Sequence, residues 1–118
     1  MKKLILLCVV FSSLSLVSFA QAVGTTLLRD LTPAEVVAAQ TTATNTTNTL
    51  NATLVFTGTQ SADVNAAEFK FQKQFDAYTV SGVTPSVGQL GNITIERDQR
   101  LQQIMTPAQW ATYLTMPH

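Results

Sequence analysis

Leu31-Thr32-Pro33-Ala34-Glu35, Phe56-Thr57-Gly58-Thr59-Gln60 and Met105-Thr106-Pro107-Ala108-Gln109 are three versions of one phrase: an apolar residue, a threonine, and an acid or amide three positions after the threonine. Each has the form of a capping box, in which the threonine hydroxyl accepts from the third helical N–H and the third side chain reaches back to the cap's own N–H. The apolar leader stands at N′, where it can staple the incoming chain to the first turn. In two copies proline follows threonine, at the helical position whose missing N–H costs nothing. The phrase therefore predicts helix starts at Thr32, Thr57 and Thr106, and an all-α fold.

The residues before the first box read differently. Met1-Lys2-Lys3 is a basic start, Leu4 to Val17 is apolar but broken by serines, and Ser18-Phe19-Ala20 offers small residues at −3 and −1. That is the pattern of a cleaved secretory signal over residues 1–20, too short and interrupted for a spanning helix. Cys8, the single cysteine, leaves with it. The expected mature chain is roughly one hundred residues: an extended lead-in over 21–30 and a single helical domain over 31–118. It has no disulfide, so stability must come from helix packing or oligomerisation. Without Lys2 and Lys3, five basic residues face seven acids, a net charge of −2. That balance argues against a nucleic-acid partner, which needs clustered surplus Lys and Arg.

Along the domain, Val36, Val37, Ala39, Ala43, Leu50 and Leu54 fall near helical spacing after the first box. The Thr/Asn-rich run 41–59 has poor helix propensity, so the first helix is expected frayed, bent or short, with a β reading of Leu50 to Thr59 as the alternative. The second helix carries Val64, Ala67, Phe71, Phe75 and Tyr78 in three-four alternation. Phe69 lies off that stripe, either widening the buried face or meeting a partner chain. Val80 to Gly91, with Gly82, Pro85, Gly88 and Gly91, reads as a loop in which Thr84-Pro85 can start a helical turn. A third helix is expected from about Asn92 to Ile104, with Ile93, Arg97, Leu101, Ile104 and Met105 on one side and an Glu96–Arg100 pair on its surface. The last box restarts the chain after a kink as a short helix with Trp110, Tyr113 and Leu114.

Chemistry-bearing constellations are scarce. One histidine, His118, stands at the terminus, which offers neither a metal cluster nor a Ser–His–acid relay. Glu96 and Asp98, two apart on a helix, do not face each other. The glycines are not spaced to cradle phosphate. Asn45, Asn51 and Asn92 fit the glycosylation acceptor pattern, but the short Met-Lys-Lys signal is bacterial in character and no glycans are expected. No catalytic residue, cofactor, metal or small-molecule substrate is therefore expected. Phe69, Phe71, Phe75, Tyr78 and Trp110 remain, either as core or as an exposed apolar contact surface.

The export signal, the repeated boxes, the middle copy Phe56-Thr57-Gly58-Thr59-Gln60 followed by Val64, and the closing stretch from Glu96 through Met105-Thr106-Pro107-Ala108-Gln109-Trp110 together resemble the Spy/CpxP-like family of small periplasmic proteins, whose signature is the LTxxQ motif. The resemblance implies a bent helical hairpin of three to four helices, often dimeric. It implies a non-enzymatic role in envelope stress, as an ATP-independent chaperone for unfolded proteins or a modulator of a stress-sensing kinase. The rival expectation is a structural or regulatory protein–protein interaction module, a homodimer without chaperone activity. The chain departs from the family in its sparse charge, its slightly acidic balance and its Thr/Asn tract.

Overall fold

The computed structural model describes residues 28–117; the expected signal, residues 21–27 of the lead-in and His118 lie outside the described residues. Within them the chain is all-α, a helical hairpin of four helices: α1 Pro33–Leu54, α2 Gly58–Val80, α3 Val87–Ile104 and α4 Pro107–Thr115. α2 is the central element. α1 packs along one side of it and α3 along another, while the short α4 bridges the ends of α1 and α3.

α1 runs without interruption through the Thr/Asn-rich residues as far as Leu54, against the expected fraying; the β alternative for Leu50 to Thr59 fails too, since residues 50–54 are helical, an elbow follows and α2 starts at Gly58. The physical reason lies in the threonine hydroxyls. Those of Thr41, Thr42, Thr47 and Thr49 each donate to the carbonyl four residues back, at 2.8–3.2 Å. The competing hydrogen bonds that lower threonine's propensity are thus absorbed within the helix. The buried stripe is Ala39, Ala43, Thr47, Leu50 and Leu54, mostly short side chains that let α1 lie close to α2. Val37, expected on that stripe, is 65% exposed, and Val36 is half-buried. A polar rung adds register: the Gln40 amide donates to Asn65 Oδ1 at 2.9 Å.

The loop after α2 is shorter than expected. α3 begins at Val87 and not near Asn92, because Ser86 and Gln89 close a fourth capping box: Gln89 N–H donates to Ser86 Oγ and Ser86 N–H donates to Gln89 Oε1. Gly88 and Gly91, expected in the loop, are inside the helix. The genuine turn is Ser81-Gly82, where Gly82 takes φ 70°, a conformation open to glycine. Replacing Ser86 with alanine is expected to cost about 0.5–2 kcal/mol, read as a lower denaturant midpoint with unchanged slope.

The core sits at one end of the hairpin, where α4 closes it. Leu50, Leu54, Val64, Ala67, Leu101, Met105 and Tyr113 form one cluster, with Phe56, Ile104, Trp110 and Met116 packed against it. The N′ residues of two boxes, Phe56 and Met105, are therefore also core residues. Leu114 is not: it is 62% exposed. The kink between α3 and α4 is one extended residue, Met105, followed by the cap Thr106.

Candidate functional site

The boxes form local helix starts and then do something beyond capping. Thr32, Thr57 and Thr106 each accept from the N3 backbone N–H, and Glu35, Gln60 and Gln109 each reach back to the cap N–H. At the second and third boxes the free end of the glutamine amide crosses to the other junction. Gln60 Nε2 donates to Ile104 O at 3.2 Å and to Gln109 Oε1 at 2.8 Å. Gln109 Nε2 donates to Leu54 O and Val55 O, both at 3.3 Å. Each start therefore satisfies carbonyls at the end of the helix that precedes the other start. Ile104 and Val55 occupy the same place relative to their boxes, each two residues before the threonine.

The α1–α2 elbow needs that support. Val55 has φ 57° and ψ 79°, the left-handed region that a β-branched residue rarely adopts. Asn51 holds it, with its carbonyl accepting from Val55 N–H at 2.9 Å and its side-chain oxygen from Phe56 N–H at 2.6 Å. The asparagine that weakens helix propensity thus closes the helix it sits in.

Away from the elbows, cover over α2 thins. Val64, Ala67 and Glu68 are buried, but every residue of α2 from Phe71 to Tyr78 is only half-buried. Phe71, Phe75 and Tyr78, for which the sequence left core and contact surface both open, form a partly open aromatic row. Phe71 and Phe75 stack with ring centroids 6.3 Å apart. Arg97 of α3 lies over Phe71 at 4.4 Å, and Lys73 lies over Phe69 at 4.2 Å, each a cation on a ring face. Phe69 thus has a partner on its own helix. Trp110 belongs with the core end, stacked on Tyr113 at 5.2 Å.

Charges bracket this row. Arg97 approaches buried Glu68 at 3.8 Å and pairs with Asp98 at 3.0 Å. Burial pushes the Tyr113 hydroxyl above its ordinary value of 10.0, with Arg97 acting against the shift. The expected Glu96–Arg100 pair gives way to contacts across the interface: Glu96 accepts from Lys70 and, at 3.4 Å, from Gln74 of α2. Those bonds lower the Glu96 carboxyl from 4.5, that from Lys70 most. Tertiary partners win here because α2 brings a lysine to the same carboxylate. Glu96 and Asp98 serve different partners and form no acid–base pair. Among the described residues no group of His, Cys, Asp and Glu is arranged to hold a metal ion.

At the first box the third residue is Glu35 in place of glutamine, and its carboxylate takes two N–H groups from Arg29, at 2.8 and 2.9 Å. The Arg29 guanidinium, then the Thr32 N–H, hold Glu35 down from 4.5 to about 2. Arg29 and Ser81 were not singled out from the sequence; the one legible signal was an acid where the other boxes carry an amide. Among the described residues no helix is long and apolar enough to cross a membrane. Comparison with protein-family models, with curated proteins and with solved structures returns no match.

Proposed function

We propose that this chain is a non-enzymatic, exported helical binding protein of Spy/CpxP-like type, periplasmic or secreted, that holds apolar segments of other proteins without ATP. The observation that carries the reading is the aromatic row of α2. A hairpin whose core is closed at one end by α4 leaves Phe71, Phe75 and Tyr78 half-covered at the other. Aromatic rings are large apolar contacts with few rotatable bonds, so a partly open row of them favours binding extended apolar chain at low entropic cost. The sparse, mutually paired charge around the row leaves hydrophobic contact and shape as the means of holding a client, in place of electrostatic steering.

The test is aggregation of an unfolding client mixed with the protein from equimolar to severalfold excess. Suppression is expected, and Phe71→Ser with Phe75→Ser should abolish it while the helical signal persists. Absence of suppression at severalfold excess rejects the reading.

A second reading, an interaction module that pairs with a copy of itself, is favoured by α3. Val87 is 92% and Ile95 56% exposed, eight residues apart on one helical face. Size measurement of the mature protein separates the two: a monomer at micromolar concentration excludes the homodimer.

A further inference from the structure

The buried residues of α1 advance by steps of four and three: Ala43, Thr47, Leu50, Leu54. In α2 the buried Val64 and Glu68 open the same alternation, which the half-buried Phe71, Phe75 and Tyr78 continue. The two series are in phase with each other. Thr57 and Ser61 fill the gap between them at steps of three, four and three, so Ala43 to Tyr78 is one a/d heptad pattern without a break. A helical hairpin does not require this, because its elbow sets the rotation of each helix separately. A continuous helix does require it, since only then does one stripe keep to one face along the whole length.

The elbow that interrupts the pattern is short: Val55-Phe56-Thr57, between helix ends at Leu54 and Gly58. Val55 sits there at φ 57° with its side chain 74% exposed. A β-branched residue in the left-handed region is strained, and so exposed a side chain has little packing to offset the strain. In a continuous helix Val55 returns to ordinary helical angles. The open carbonyls at the end of α1 then meet the open N–H groups at the start of α2. A short hinge under strain favours exchange of an element between copies of a chain.

We propose that two copies of this chain exchange α1: the elbow straightens, α1 and α2 join into one helix over Pro33–Val80, and each α1 packs antiparallel on the α2 of the other copy. What covers each α2 is then chemically the α1 it already holds. Leu50 and Leu54 meet Val64, Ala67 and Leu101 as in the hairpin, and the Gln40 amide meets Asn65, now between chains. Straightening loses the Thr57 box, the Asn51 bond to Phe56 N–H and the Gln60 and Gln109 bonds that clasp the elbow, and it draws Phe56 out of the core. Those contacts keep the hairpin as the resting form. A tethered α1 also competes at an effective concentration of about a millimolar, so exchange belongs to concentrated protein or to a weakened clasp. The inference is independent of client binding. It differs from pairing through Val87 and Ile95 in that a whole helix crosses between copies.

The test links two neighbours across the α1–α2 contact. Mature protein carrying Gln40→Cys and Asn65→Cys is held at millimolar concentration, separated by size, and each fraction is treated with a short bismaleimide. The dimer fraction should run as a covalent dimer under denaturing conditions, and the monomer fraction as a covalent monomer. A dimer whose link stays inside each chain, as pairing through α3 would give, overturns the exchange. Two variants of the parent set the direction. Gln109→Ala removes the donor to Leu54 O and Val55 O and should raise the dimer fraction severalfold. Val55→Gly should lower it severalfold with a thermal midpoint at or above the parent's, because glycine suits the elbow and disfavours the joined helix. If Gln109→Ala fails to fold, the parent against Val55→Gly decides. Absence of dimer at millimolar concentration in parent and Gln109→Ala alike, or an equal dimer fraction in parent and Val55→Gly, also overturns the proposal.

Discussion

Leu101→Ala is expected to lower the thermal midpoint by more than about 8 °C, the largest effect of any single truncation in this fold. Leu101 is fully buried on α3 and belongs to the cluster where α1, α2, α3 and α4 meet. Removing three carbons there loses the transfer free energy and leaves a cavity that four helices, pinned at two elbows, cannot readily collapse. The cost is about 2–5 kcal/mol. A domain of this size has only about 5–15 kcal/mol in all. Leu114→Ala, at a residue 62% exposed on α4, is the matched control and should stay within about 0.5 kcal/mol of the parent. Thermal and denaturant unfolding of both variants checks the pair. A midpoint for Leu101→Ala within a degree or two of the parent contradicts the packing described.

The second large effect is a coupling. Gln60→Ala and Gln109→Ala each remove one half of a box and also one half of the cross-connection between elbows. Each is expected to cost about 1–3 kcal/mol, because the part-buried carbonyl of Ile104 or of Leu54 loses a donor. If the glutamines were only caps, the two costs would add. Because they bond to each other, the double variant should fall short of the sum by about 0.5–3 kcal/mol. Gln89→Ala calibrates the cap alone, since Gln89 completes a box and, among the described residues, bonds to no other helix end. Denaturant midpoints of the four proteins in the cycle, with Gln89→Ala beside them, decide it. Additivity within a few tenths of a kcal/mol rejects the clasp.

These effects mark where the sequence was readable. A capping box is a local device, with partner atoms three residues apart, so Thr32, Thr57 and Thr106 announced their helices without knowledge of the fold. Ser86 and Gln89 stand at the same spacing, but Pro85 replaces the apolar leader and two glycines follow, so turn chemistry outvoted the cap. The opposite error came from the Thr/Asn-rich run 41–59, whose first part is helical to Leu54. Propensity counts threonine and asparagine against a helix, and does not count hydroxyls that bond within it or an Asn51 that closes its end. Periodicity put Phe71, Phe75 and Tyr78 on one face with Val64 and Ala67. Whether anything covers that face depends on where α4 ends, which no helical period encodes. The contacts of Gln60 with Gln109, and of Arg29 with Ser81, join residues 49 and 52 positions apart and have no local signature at all.

The cross-bonded elbows also bear on how the chain reaches this fold. The hairpin contacts of α1 with α2, and of α2 with α3, join neighbours in sequence, which favours fast pairing. The glutamine clasp spans 44 to 55 positions, so its loop must close before any of its bonds is gained. Val55 enters a disfavoured backbone region at the same elbow. The clasp thus belongs to the last step of folding, after the helices have paired, and its loss should quicken unfolding far more than it slows refolding. In that light the repeated motif acts as a catch on the finished molecule, setting how long a folded copy lasts in a chain whose single cysteine can close no internal disulfide.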